Sequence, residues 1–381
     1  MIYLDNSATT KPYPEVLDTY RTVSERYFAN PSSLHSLGGV SEHLLSRSRE
    51  QAAALLHADP DEVVFTSGGT EGNNLAIKGT AFAYRNRGKH LIATSIEHAS
   101  AGNAFSQLEE LGFEVTYLPV NHDGRVAFED FKKAYREDTI LVSIMHVNNE
   151  VGTIQPVAEI GRFLKDKPKT VFHVDNVQGF SKVPLQLRES GIDLCTISGH
   201  KFHGPKGTGL LYVRKGIQLS PLFAGGGQEH QLRSGTENLP GICGMVKALR
   251  MTLAHESEGI AHLRKLQNRL FDGLKQIDNA VVHTPQSPLS SPHIVNVSFL
   301  GIKSEVLVHA LEEEKIYVST KSACSSKESG ASEILKAMGV SDKEAEQAIR
   351  ISLAYETTES EIDVFLKKLA EKVSQLKVVM K

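Results

Sequence analysis

The chain has 381 residues, 40% hydrophobic and 23% charged, with a formal net charge of −3 and three cysteines. That length exceeds one compact core, so two domains are expected, and the composition is that of a soluble globular protein. The weak net charge argues against an electrostatic grip on nucleic acid. The lack of any run of about 18 apolar residues argues against a membrane span, and Met1 leads directly into a strand-like stretch, with no recognisable secretory leader. An odd, low cysteine count speaks against a disulfide framework and for a reducing cytoplasm.

In chain order, strand-like apolar runs alternate with helical patterns. Strands are expected at 62–66, 91–95, 114–120, 139–147, 170–175, 193–198 and 209–215. Several are nearly continuous apolar runs, as in strands buried on both faces by crossover helices. Helical spacing lies between them, as in 41–56 (SEHLLSRSREQAAALL) and 128–137 (FEDFKKAYRE). The fold class is therefore α/β, with a large domain at 13–255 built on a seven-stranded, mostly parallel sheet. From about Glu256 the texture changes. A connecting helix (262–277), a strand (293–302), a helix (304–314), a strand (348–355) and a final helix follow. The last helix opens on Thr358-Glu359-Ser360-Glu361, a capping-box pattern, with Ile362, Phe365, Leu366 and Leu369 on one face. Residues 256–381, joined by 1–12, are expected to form a smaller α+β domain carrying a mobile cysteine loop at about 321–335.

Ligands of such sheets sit beyond the carboxyl ends of the strands, where polar motifs cluster. Asp175 ends one strand and Lys201 follows the next. A carboxylate for a pyridinium nitrogen and a lysine for a Schiff base are the partners a protein gives to pyridoxal phosphate. The run from Thr66 to Asn74 (TSGGTEGNN) follows a strand and opens a helix, a setting that favours an anion through Gly69 and Thr70. It lacks the Gly-Lys-Ser/Thr ending of a nucleotide P-loop. His98 ends a strand, where it could stack on a flat ring, move a proton or simply cap a helix. Asn148 and Asn149 could donate to a phenolate or carboxylate, or make a turn. Gln178 follows Asp175 by three residues. The 232–238 loop offers Arg233 to a phosphate. Arg350, on an apolar strand, suits either a substrate carboxylate or an internal ion pair. Cys324 lies in a Ser-rich, lysine-flanked run that favours a reactive thiolate, whereas Cys195 and Cys243 sit in apolar surroundings and read as packing residues. His200 and His203 without further ligands do not make a zinc site.

The motifs YLDNSATT, NPSS with His35, SGGTEGNN, EH, HVNNEVG, HVDNVQG, SGHKFHGPKG, RSGTEN, SACSS and RISL occur in this order over nearly the whole chain. The set resembles the cysteine desulfurases, class V members of the fold-type I pyridoxal-phosphate transferases. The resemblance implies a pyridoxal 5'-phosphate homodimer that takes sulfur from L-cysteine and releases L-alanine. It implies Lys201 as the Schiff-base lysine, Asp175 on the pyridinium nitrogen and His98 stacked on the ring and assisting proton transfer. Asn149 and Gln178 would hold the ring oxygen; Gly69, Thr70, Ser198 and His200 the phosphate, with Thr236 arriving from a partner subunit. Arg350 and Asn149 would hold the substrate carboxylate, and Cys324 would accept sulfur. The long segment from Cys324 to Gly339 resembles the bacterial branch serving iron–sulfur assembly and tRNA thiolation, so the implied partner is a sulfur-acceptor protein. Asn176 after Asp175 departs from the small residue usual there. The alternatives are a selenocysteine lyase, another class V enzyme, or a cofactor-free persulfide carrier.

Overall fold

The computed structural model describes residues 1–321 and 330–379. The chain opens with β1 (Ile2–Tyr3), α1 (Pro14–Arg26) and α2 (Ser36–Leu55). It then alternates through β2 (Val63–Thr66), α3 (Gly69–Tyr84), β3 (His90–Thr94), α4 (Ala99–Glu110), β4 (Glu114–Leu118) and α5 (Phe128–Ala134). Next come β5 (Thr139–Met145), α6 (Val157–Leu164), β6 (Val171–Asp175), β7 (Leu194–Ser198), β8 (Gly209–Val213), α7 (Leu239–Ala254) and α8 (Glu256–Leu274). The seven expected strands form one sheet in the order β2-β8-β7-β6-β5-β3-β4. β8 runs antiparallel to both neighbours, and the other pairings are parallel. The exception has a local cause: only one short helical turn separates β7 from β8, so the chain doubles straight back instead of crossing over.

Alternation along the strands divides the interior into two layers. Phe65, Ile92, Val142, Ile144, Phe172, Val174 and Ile197 face a core shared with α1, α2 and α7. Val64, Leu91, Ala93, Leu141, Val171 and Leu194 face the opposite core, under α3 and α4. With both faces covered, all but the edge strand β4 are buried along their length. The polar exceptions are paired across strands. His173, fully buried between β5 and β7, bonds Ser143 Oγ at 2.8 Å and Thr196 Oγ1 at 2.9 Å.

The rest of the chain builds a second core. It comprises β9 (Ala280–Val282), β10 (Ile294–Phe299), α9 (Ser304–Glu313), β11 (Ile316–Tyr317), α10 (Glu333–Ala337), α11 (Asp342–Ala345), β12 (Ala348–Ser352) and α12 (Glu359–Val379). An antiparallel sheet β12-β10-β9 packs against α8 and α12 through Leu263, Leu270, Val297, Phe299, Ile362 and Phe365. The amino-terminal segment belongs to this core: β1 pairs in parallel with β11, and Leu4 lies among its apolar side chains. α12 starts on a capping box, with Thr358 N donating to Glu361 Oε2 at 2.9 Å and Glu361 N to Thr358 Oγ1 at 3.2 Å. Cys195 and Cys243 are both buried, and burial pushes both thiols up.

Candidate active site

Six strands of the large sheet end on one side, and the carboxyl ends of β2, β3, β5, β6 and β7 open into a cleft of about 700 Å³, its mouth included. Its lining brings together Gly69, Thr70, His98, Asn149, Asp175, Gln178, Ser198, His200, Lys201 and Arg350. These come from sequence positions up to 281 residues apart, gathered by the parallel sheet and by β12.

At one end of the cleft lies the start of α3. Gly68 adopts φ +152°, a backbone state that side chains resist, and the helix begins at Gly69 with no side-chain cap. The N–H groups of such a first turn have no partners within the helix. A Cβ on Gly69 would come within 3.0 Å of Val177 Cγ2, and one on Gly72 within 2.7 Å of Thr196 Cγ2. These glycines let α3 settle against the ends of β6 and β7. Ser198 and His200 border the same end. Burial, followed by the nearby Lys201 and Lys206 cations, pushes His200 down to about 4, so the ring is neutral at physiological pH.

Asp175 ends β6 almost fully buried. Its Oδ1 accepts from Val177 N at 3.0 Å and its Oδ2 from Asn73 Nδ2 at 2.6 Å. Lys201 sits on the helical turn Gly199–Lys201 that follows β7. Its Nζ donates to Ala8 O at 2.9 Å and to Ser7 O. Gln178 Nε2 donates to Ser7 O at 2.9 Å. His98 caps α4, its Nδ1 accepting from Ser100 N at 3.1 Å, and it also lines the cleft. The two asparagines after β5 divide their work. Asn148 Oδ1 accepts from Glu150 N and Val151 N and makes the turn. Asn149 faces the cleft, and its buried Oδ1 has no partner.

Arg350, the largest fully buried side chain among the described residues, makes an internal ion pair and also lines the cleft. It donates to Asn149 O at 2.9 Å and to Asp5 Oδ1 at 2.9 Å, while Nε stays buried without a partner. Arg233, by contrast, is already committed: it pairs with Glu71 at 2.9 Å, so the charge of the 232–238 loop is met by a carboxylate rather than left for a phosphate. Thr236 in that loop is exposed and does not line this cleft. Cys324 lies outside the described residues. Sequence reasoning missed Asp5, the Ser7 and Ala8 carbonyls, Asn73 and Ser100. For all but Ser100 the only signal was the polar content of LDNSATT and TEGNN.

The groups present fit pyridoxal phosphate. A glycine-lined helix start suits the phosphate, a buried carboxylate suits a ring nitrogen, and a primary amine borders the space between them. The orphaned Asn149 Oδ1 and Arg350 Nε mark polar capacity still unmet at the substrate end.

Comparison with known proteins gives a consistent picture. The family model described as aminotransferase class-V matches residues 2–365. A protein described as a NifS/IcsS protein homolog from Lactobacillus delbrueckii subsp. bulgaricus is 49% identical, covering 96% of this chain and 95% of its own. The cysteine desulfurase IscS of Methanosarcina thermophila is 44% identical, covering 99% and 93%. Among solved structures, a NifS-like protein superposes with a TM-score of 0.92 at 40% identity, covering 98% of this chain and 99% of its own. A structure titled SspA in complex with cysteine superposes with a TM-score of 0.81 at 34% identity, covering 94% and 100%.

Proposed function

The chain belongs to the aminotransferase class-V family, and on that basis we propose that it is a pyridoxal-phosphate-dependent cysteine desulfurase. L-cysteine and the Cys324 thiol become L-alanine and a Cys324 persulfide, so the substrate C–S bond breaks as an S–S bond forms and atoms and electrons balance. The observation that carries this reading is the convergence of Lys201, Asp175 and Arg350 on one cleft from three separate strands. The relatives named as cysteine desulfurases, and the neighbour solved with cysteine, support it.

Bound pyridoxal phosphate supplies an electron sink for charge developing at the substrate α-carbon. The residues of this chain do the rest. Gly69, Thr70, Ser198 and His200 would hold the phosphate, with Thr236 of the partner subunit. Asp175 would pair with the ring nitrogen, His98 would contact the ring, and Asn149 and Gln178 would hold the ring oxygen. Arg350 and Asn149 fix the substrate carboxylate, the Lys201 amine moves the α-proton, and the Cys324 thiolate takes the sulfur. Homodimerisation is supported by the apolar side chains of Phe28, Leu34, Leu37, Val40 and Phe223, all left exposed on the single chain. The persulfide passes to an iron–sulfur scaffold or a tRNA thiolation enzyme. The working compartment is the cytoplasm; no helix among the described residues is long and apolar enough to cross a membrane.

The test is a persulfide assay with L-cysteine and candidate acceptor proteins. Cys324→Ala should still bind L-cysteine but yield neither persulfide nor labelled acceptor. Sulfide release at the wild-type rate from that variant would contradict the assignment. Lys201→Ala should lose the borohydride-reducible cofactor absorbance, and its retention would count equally against it.

A further inference from the structure

Along one wall of the cleft, four side chains from three elements form one continuous hydrogen-bonded line. Asn73, on α3 and 1% exposed, donates from Nδ2 to Asp175 Oδ2 at 2.6 Å and to Ser100 Oγ at 2.9 Å. Ser100, in the first turn of α4, then meets His98 twice. Its Oγ lies 2.8 Å from His98 Nδ1, and its backbone N–H donates to that nitrogen at 3.1 Å.

The chemistry of the groups fixes the direction of this line. An amide oxygen placed 2.6 Å from an oxygen of a carboxylate that already accepts elsewhere would be repelled, so Asn73 turns its NH2 toward Asp175. Both N–H bonds of that amide are then spent, one on Asp175 and one on Ser100 Oγ. Ser100 Oγ, already accepting from Asn73, has its own hydrogen left to donate, and His98 Nδ1 is the atom within reach. Nδ1 thus faces two donors and must offer its lone pair. The ring hydrogen therefore resides on Nε2, the only other nitrogen.

We propose that Asn73 and Ser100 are positioning residues that tie His98 to Asp175 and hold its imidazole as the Nε2–H tautomer. The neutral ring then presents a donor to the cleft, and its one lone pair is already engaged at Nδ1. His98 can therefore donate a hydrogen bond to a group in the cleft but has no free lone pair to receive a proton, and α-proton removal falls to Lys201. Among the other charged or titratable groups lining the cleft, Arg350 donates to Asn149 O and Asp5 Oδ1, His200 Nδ1 lies 3.2 Å from Thr9 Oγ1, and Lys201 Nζ donates to Ser7 O and Ala8 O. The inference rests on the reading of His98 and Asp175 as cofactor-facing residues. A nitrogen resonance nevertheless reports the tautomer whatever reaction the enzyme performs.

The experiment is long-range proton–nitrogen correlation NMR on deuterated holoenzyme labelled with 15N-histidine. A His98→Gln spectrum identifies the His98 signals among the sixteen histidines. The wild type should show a protonated Nε2 and an unprotonated Nδ1 at neutral pH. Ser100→Ala should move His98 away from the pure Nε2–H pattern, and Ser100→Thr, which keeps the hydroxyl, should restore it. Asn73→Ala should produce the same displacement although Asn73 does not touch His98. A wild-type spectrum showing a protonated Nδ1 would overturn the proposal without recourse to any variant. So would an unchanged His98 pattern in both alanine variants that still bind the cofactor.

Discussion

Glu97, the residue before His98, offers a quantitative check on the electrostatics around the cleft. Its Oε1 accepts from Thr94 Oγ1 at 2.7 Å and from Met145 N at 3.0 Å, clamping the ends of β3 and β5. Its Oε2 is buried without a partner. Burial is the main cause that pushes this carboxyl up from 4.5 to about 8, and the Asp175 charge adds to it. A group whose folded-state value is raised in this way supports the fold fully below 4.5, and that support is lost as pH rises through 8. At about 1.36 kcal/mol per pH unit, the linkage between pH 5 and pH 8 comes to about 3.5 kcal/mol. Glu97→Gln keeps the shape and the accepting oxygen but cannot ionise, so its stability escapes this slope. The assay is urea unfolding of cofactor-saturated protein at pH 5, 6.5 and 8, followed by far-ultraviolet circular dichroism because the chain has no tryptophan. The stability of the variant relative to wild type should rise by about 3.5 kcal/mol across that range. Parallel pH profiles for the two proteins would refute the reasoning.

Gly72→Ala pushes a methyl group against Thr196 Cγ2, lifting the start of α3 off the sheet; it should cost about 1–3 kcal/mol and weaken pyridoxal phosphate binding in an absorbance titration. Arg350→Lys retains the charge but not the planar fork that reaches Asn149 O and Asp5 together. Steady-state kinetics should show KM for L-cysteine rising about tenfold, with a smaller change in kcat. Thr358→Ala removes the cap of α12 and should lower stability by about 1 kcal/mol in thermal unfolding, leaving activity intact.

Much of this architecture could be read from the chain because its signals are local. Strands buried on both faces are short apolar runs, and several are closed by a polar residue at the cleft end, as with Asp175 and Ser198. The capping box at Thr358 and Glu361 is likewise a four-residue pattern with a backbone mechanism. What could not be read is the commitment of polar groups to partners far away in sequence. Arg233 looks like a phosphate ligand until Glu71, 162 positions earlier, is seen to hold it. Asn148 and Asn149 are adjacent and chemically identical, and only the direction of the turn decides which faces the cleft. Asn73 belongs to a helix whose glycines drew notice, yet its partner Asp175 lies 102 positions away.

The amino-terminal residues illustrate the same principle and change the reading of Arg350. From sequence, an internal ion pair and capture of a substrate carboxylate were competing uses of that guanidinium. The structure shows the ion pair, and its geometry leaves room for the proposed carboxylate role beside it. Asp5, carried beside β12 by its bridge to Ser352, takes one terminal nitrogen, and Asn149 O takes the other. Two fixed acceptors on a planar group leave its orientation no freedom, so the remaining N–H bonds are aimed before any ligand arrives. Without Asp5, an almost fully buried cation would stand uncompensated whenever the cleft held no anion, at a cost of several kcal/mol. The ion pair is thus what allows the arginine to wait in place. Two residues further on, the same segment offers the Ser7 and Ala8 carbonyls to Lys201 and Gln178. Asp5, Ser7 and Ala8, in the turn that follows the amino-terminal strand, therefore set the guanidinium-bearing and amine-bearing sides of the cleft against one another, joining a sheet built from the first half of the chain to one built from the last.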